Sequence, residues 1–509
     1  MDRQPVRLVR LLLGRLVSRY CQHQTKAART DGTRKVSFAV TPAPPASPAN
    51  ERLAALLHRA GWRPEALARR LNAALAQNGA DRRIHEKTPY KWIARGEVPH
   101  GDVPDLVIHV LATALDTELD YEDVWGGARQ RPQLALCADD GMDLPWDSTG
   151  LISLLGEPVP TRRTVVAVAG AALTSPAWGA LQRRPPTLIS TADERGPVTP
   201  PLLTMIDTVV CQVQRLDEQQ GGAARGFVSD QFVAVSRLLR RASYDEQTGL
   251  HLAAAVAQLA QTAGFMAFDA HDDGRAQRWY LIALRAAHAA ADPALTASIL
   301  ALMSNQAADQ GHALDAVQLA SAAQEAATHA PAVVRSLVAA RSGLAYAVAG
   351  DLSGFSHARE NTLELHGAVT DLPLPPWASY IDRVELDAIT GRGLVVLADH
   401  MPTRRKQLLQ QAKRLLHARA HTDPVALQQR SALRHGAWLS LAHIADNDLE
   451  LAVSSARLAL SRLPAVSSAR SVSLLHRLDH QLTPIAPRSP AVRLLLDDLR
   501  HLTQPMKSG

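Results

Sequence analysis

The stretch KTPYKWIARGEVP, from Lys87 to Pro99, gathers a Thr-Pro step, an aromatic pair, two further cations, a glycine and a proline. None of these residue types at this spacing does covalent chemistry. They can hold a short helix against a core and present cations and hydrogen-bond donors on its free side. Such an element is either an ordinary helix with its exit turn or one that reads a nucleic acid. Elsewhere the chain carries no Gly-x-x-x-x-Gly-Lys-Ser/Thr loop, no glycine fingerprint after a strand and no HExxH. The run His271-Asp272-Asp273-Gly274 falls where an inter-helix turn is expected and reads as a solvated loop rather than a metal site. Ser342, in ARSGLAYA, lies inside a helical hairpin rather than on the strand-turn-helix that a serine nucleophile needs. The 20 histidines are scattered along the chain. The expectation is a protein that is not an enzyme and carries no metal and no cofactor.

The elements that must position 87–99 are short helices. NERLAALLHRAG sets Leu53, Leu56 and Leu57 on one face, with Asn50 as N-cap and Gly61 as stop. RPEALARRLNAALAQNG starts with Pro64 in its first turn and spaces Leu67, Leu71 and Leu75 by four, with Arg69 and Arg70 off that stripe. After the basic connector ADRRIHEK, Thr88 is the expected cap and Pro89 the first helical residue. Gly96 ends that helix and Pro99 prevents re-entry. Pro89, Trp92 and Ile93 share its inner face; Tyr90, Lys91, Ala94 and Arg95 point elsewhere. In PDLVIHVLATALD, Leu106, Val110, Leu111 and Leu115 are expected to face inward.

Charge is polarised along this module. Residues 51–95 hold ten Arg/Lys against four acids, whereas 97–123 hold eight acids and no Arg/Lys. One end can therefore face phosphates and the other cannot. The segments ALARRLN, TPYKWIARGEVP and PDLVIHVLATAL together resemble the phage-repressor-type (XRE-like) helix-turn-helix. With ELDYEDVWG behind them they are similar to actinobacterial regulators of sporulation and antibiotic production, which join this module to tetratricopeptide-type repeats. The resemblance implies a helix in the major groove, where base edges present a readable pattern. Mapped onto this sequence, the base-reading positions are Thr88, Tyr90, Lys91 and Arg95, and the phosphate contacts are Arg82, Arg83 and Lys87. The connector 77–87 is longer than the turn of a compact helix-turn-helix, which bears on which side chains reach bases.

Composition predicts an all-α chain. Aromatics are 4% and Ala and Leu, the best helix formers, dominate the apolar residues. Cys21, Cys137 and Cys211 are widely separated, which argues against a disulfide framework or a zinc site and fits a reducing cytoplasm. Residues 1–49 read as a basic tail ending in the proline-rich TPAPPASPAN, 50–127 as the helix-turn-helix domain, 128–201 as a connector and 202–503 as helical repeats. Within the connector, the uncharged run Thr164–Gln182 approaches the roughly 20 residues that cross a bilayer. It is rich in Ala and Gly and broken by Pro176, so a buried or linker helix is expected and membrane association is not. The proline-rich 183–201 reads as a second linker.

Beyond Leu250 the chain repeats itself. Ala276, Tyr280 and Ala283 recur forty residues on as Ala316, Ala320 and Ala323; the step reaches Ser356, and the shape returns at Ala452, Ala456 and Ala459. This resembles degenerate tetratricopeptide repeats, a helical-hairpin solenoid whose concave face takes a peptide, protein or small molecule. No residue of that face can be named from sequence. The functional expectation is a DNA-binding transcriptional regulator of duplex DNA, a homodimer whose repeats dimerise, bind an effector, or both. The alternative is a protein-interaction scaffold without DNA binding.

Overall fold

The structure, a computed structural model, describes residues 50–77, 83–99, 103–115, 121–126, 144–156, 167–192, 196–367, 375–378 and 380–503, with single positions at 117, 119, 165 and 194. The basic tail and Arg82 lie outside the described residues. The fold is all-α. Among the described residues, the one ladder is β1 (Ser190–Thr191) paired antiparallel with β2 (Ser243–Tyr244).

The first helices are α1 (Glu51–Arg59), α2 (Pro64–Gln77), α3 (Thr88–Arg95), α4 (Val103–Leu115) and α5 (Tyr121–Trp125). They share a core of their own, built from Leu53, Leu56, Leu57, Leu67, Leu71, Trp92, Val107, Leu111 and Val124 among others. Each fully buried leucine contributes roughly 1.5–3 kcal/mol. Asn50 ties the module together. Its Oδ1 accepts from Leu53 N at 2.9 Å, capping α1, while its Nδ2 donates to Val124 O at 3.1 Å and its backbone N–H to Ile93 O at 3.0 Å. The inward stripe of α4 differs from expectation. Val103, Val107 and Leu111 are buried, and Leu106, Val110 and Leu115 only flank them. The buried stripe runs from Val103 in steps of four through Val107 to Leu111; Leu115, next on it, is the helix's last residue, and Leu106 and Val110 each stand one position before the stripe.

The next elements are α6 (Ser148–Leu154), α7 (Ala171–Gln182), α8 (Pro200–Gln220) and α9 (Arg225–Arg241). The expected connector is not a free linker. The Gln277 side chain bonds both N and O of Val168, at 2.8 and 2.9 Å, and Arg285 donates to the carbonyls of Leu144 and Pro145. Leu188, in the proline-rich 183–201, is also buried. The apolar run forms only the 12-residue α7, with Pro176 inside it and Leu173, Ala177 and Ala180 buried. Among the described residues, one helix, Glu246–Asp269, is long and apolar enough to cross a membrane, and it lies mostly buried within the repeats.

Those repeats are antiparallel helix pairs: α10 (Glu246–Asp269) with α11 (Asp273–Ala289), α12 (Pro293–Asp309) with α13 (Ala313–Ala326), α14 (Ala332–Val348) with α15 (Leu352–Gly367), α16 (Arg383–His400) with α17 (Arg405–Ala420), α18 (Gln429–Ala445) with α19 (Leu449–Leu460), and α20 (Ala469–Leu482) with α21 (Pro490–Thr503). The repeating alanines lie at the crossings. Ala276, Ala283, Ala316, Ala320, Ala323, Ala452, Ala456 and Ala459 are at most 1% exposed. The same hydrogen bond recurs in two hairpins, Ser304 Oγ to Ala316 O and Ser440 Oγ to Ala452 O, each 2.8 Å. At Gly264 an added Cβ would meet the Tyr280 ring at 2.7 Å, so the first hairpin crosses tightly too. The run 271–274 spans the turn joining α10 to α11 and the first two residues of α11, where Asp273 pairs with Arg470 rather than standing in a solvated loop; Ser342 Oγ donates within its own helix to Val338 O.

The array closes on itself. Ser468 Oγ, at the start of α20, donates to Asp269 Oδ1 at the end of α10, and Arg470 donates to Phe268 O and to the carboxylates of Asp273 and Asp309. Across the same seam, Gly221 beyond α8 pairs with Ser467. Arg430 of α18 bonds Asp217 and Glu218 of α8.

Candidate functional site

Helix α3 is set by its buried side. Pro89 and Trp92 are buried, and the Trp92 ring meets Trp125 edge-on at 6.0 Å. Gly96 adopts φ 64°, the left-handed exit for which glycine carries no Cβ penalty. The expected cap shifts by one: Thr88 is the first helical residue, and Lys87 holds the cap position with no side-chain bond. His85 ties down the chain just ahead of the helix. Its carbonyl accepts from Thr88 N at 2.8 Å and its ring Nδ1 from Lys87 N at 3.2 Å. The long connector returns to α2 through Asn72, whose side chain bonds Ile84 N and O at 2.7 and 2.8 Å.

This frame leaves Lys87, Lys91 and Arg95, four residues apart, along the exposed side, with Arg83 exposed ahead of them and Thr88 half-buried at the margin. Arg95 meets Glu97 at 3.4 Å in an open, solvent-exposed pair. Tyr90 is exposed but engaged: its hydroxyl donates to Glu65 Oε1 of α2 at 2.6 Å. That bond raises the phenol pKa and lowers the carboxyl. Tyr90 thus braces α3 against α2. Trp92 is core, as its face implied.

A second site lies inside the closed array. A cavity of about 330 Å³ opens between α8 and the inner helices α10, α12, α14, α16 and α18. Its apolar wall includes Phe265, Leu302, Trp377 and Ile389; its polar wall includes Arg341, Arg392, Arg430 and Arg434. Trp377 and the nearby Tyr380 come from the stretch between α15 and α16, where the repeat spacing lengthens. Free Cys211 is also in the wall.

The charges are unevenly matched. Arg430 serves both Asp217 and Glu218, and Glu385 pairs with Arg419 and accepts from Ser431 Oγ. One carboxylate, Asp309, faces Arg392, Arg434 and Arg470. Burial opposes its ionisation, yet those three guanidinium groups lower it to about 2. Burial, aided by the nearby Arg434, brings Arg392 down to about 9, and burial also lowers Arg434 and His435. On the other wall burial pushes Asp217 up to about 7 despite Arg430. Arg341 donates to the Tyr380 hydroxyl at 3.0 Å, its Nη1 has no partner, and among the described residues no carboxylate pairs with it.

A family model described as the SP15 N-terminal domain matches residues 53–124. No curated protein and no solved structure matches the chain. The matched span runs from Leu53 to Val124, both fully buried, and so coincides with the first module's core rather than with the repeats.

The base-reading candidates thus divide. Lys91 and Arg95 are on the open side, Thr88 is at its edge, and Tyr90 is turned to Glu65. Sequence reasoning named no residue of the cavity. Arg341, Arg392 and the pair Arg430 and Arg434 come from three separate inner helices, α14, α16 and α18, and only the stacking of those hairpins brings them together.

Proposed function

We propose that this protein is a sequence-specific DNA-binding transcriptional regulator, with α3 as the groove-reading helix and the closed repeat array serving dimerisation, effector binding, or both. The observation that carries the reading is the stripe Lys87, Lys91 and Arg95, held outward by the buried Pro89 and Trp92 on the opposite side. Phosphates are met by Arg83 and Lys87, and Arg82 precedes them in sequence; these contacts supply affinity, and Thr88, Lys91 and Arg95 supply base discrimination. Tyr90 is the remaining reading candidate, and its bond to Glu65 also braces α3 against α2. The resemblance to XRE-like regulators with tetratricopeptide-type repeats supports the same reading and suggests control of development or secondary metabolism from the cytoplasm. A homodimer would read two half-sites whose spacing mirrors the protein's symmetry. No enzymatic step is assigned.

The test is selection of the purified full chain on a randomised pool of duplex DNA at moderate salt. Recovery of a repeated motif supports the reading. Retention without a motif reduces it to backbone attraction, and no retention turns the search toward a protein partner.

A further inference from the structure

We infer that the cavity of the closed array binds a small organic anion: an apolar or aromatic body bearing a carboxylate or phosphate. The inference names the ligand class for the effector role proposed above. Its volume, about 330 Å³, is at the lower end of the roughly 300–1,000 Å³ typical of small-molecule sites. The polarity of the ligand follows from how the wall charges are already used. Glu218 is held by Arg430, and Glu385 by Arg419 and Ser431; Asp217 meets Arg430 through Oδ2 and keeps Oδ1 without a hydrogen-bond partner, but burial pushes that acid toward its neutral form, a poor partner for a cation. The cationic side has the opposite balance. Arg392 and Arg434 share Asp309 with Arg470, and Arg341 has only the Tyr380 hydroxyl. Unmet donors remain on three of the wall arginines: among the described residues, Arg341 Nη1, Arg392 Nε and Arg434 Nε have no hydrogen-bond partner. A planar anion complements guanidinium groups through paired hydrogen bonds that are stronger than neutral ones. Water could hydrate those groups, but an anion would also neutralise them. Opposite the arginines, Phe265, Leu302, Trp377 and Ile389 offer an apolar surface for the body of the ligand.

The experiment is isothermal titration of the full chain, without DNA, with 2-naphthoate, 2-naphthyl phosphate, the uncharged 2-naphthamide and acetate. At least one naphthyl anion should bind saturably and raise Tm, with the amide and acetate at least tenfold weaker. The better of the two anions tells carboxylate from phosphate. Arg341→Gln should weaken that anion about tenfold or more with the unliganded Tm nearly unchanged, since the residue is only half-buried. Ile389→Trp, which fills the cavity, should abolish binding while circular dichroism stays that of the folded chain. Equal binding of amide and anion, undiminished binding by either variant, or no binding of either anion at millimolar concentration would overturn the inference. Because DNA is absent, such a failure leaves the groove-reading role of α3 standing.

Discussion

Lys91 and Arg434 are both cations on helices of one chain, but their surroundings are opposite. Lys91 stands in water on a helix whose other side is buried. Arg434 is buried on an inner helix and shares its acid with two other arginines. A cation left in water keeps its hydration and remains available to a polyanion. A cation taken into a protein must be compensated, and what surrounds it becomes part of the fold. The first module therefore carries its candidate chemistry on the outside of a small core. In the closed array the candidate chemistry and the structural interior overlap.

The sharpest test of that contrast is Asp309→Ala. It strands Arg392, Arg434 and Arg470 together, and the loss should be about 3–5 kcal/mol, measured by urea unfolding followed by circular dichroism. Stability within 1 kcal/mol of the parent would mean that these arginines are hydrated rather than compensated. Next, Trp92→Ala should cost about 3–5 kcal/mol. That loss should fall on the first module alone, because its core is separate. Calorimetry should then show an early transition split from an unmoved main one, and a uniform shift of the whole profile would refute the separation.

A smaller effect is expected from Asp217→Asn. The folded value near 7 lies above the ordinary carboxylate value of about 3.9. This acid's contribution to stability is therefore complete below about pH 4 and is lost as pH rises toward 7. The variant should flatten the Tm-versus-pH curve between about pH 4 and 7; an unchanged slope would place the titration elsewhere. The smallest effect on stability belongs to Lys91→Glu with Arg95→Glu, expected within about 0.5 kcal/mol. The same pair should sharply weaken binding to duplex DNA and relax sequence preference at the bases read, by about 1–3 kcal/mol for each lost contact.

The first module was largely legible because its signals are local. Leucines at helical spacing, the Asn50 cap and the stops at Gly61 and Gly96 each act within one or two turns. One local inference shifted, since the cap position falls to Lys87 rather than Thr88, and the sequence did not show that Glu65 would engage the Tyr90 hydroxyl. The helical hairpins were legible through their alanines, because a close crossing tolerates only small side chains. Closure of the array was not. It depends on Ser468 and Arg470 reaching residues of α10, α11 and α12 that lie far earlier in the chain.

That closure has a consequence for how the protein can change over generations. Open arrays of helix pairs grow and shrink by duplication or deletion of a unit, since each unit touches only its neighbours. Here an added hairpin would carry Ser468 away from Asp269 and Arg470 away from Asp309, opening the seam and stranding charges on both sides. The number of hairpins is thus tied to the geometry that encloses the cavity. The lineage can alter its side chains and lengthen its outer turns, but it cannot readily count to a different number.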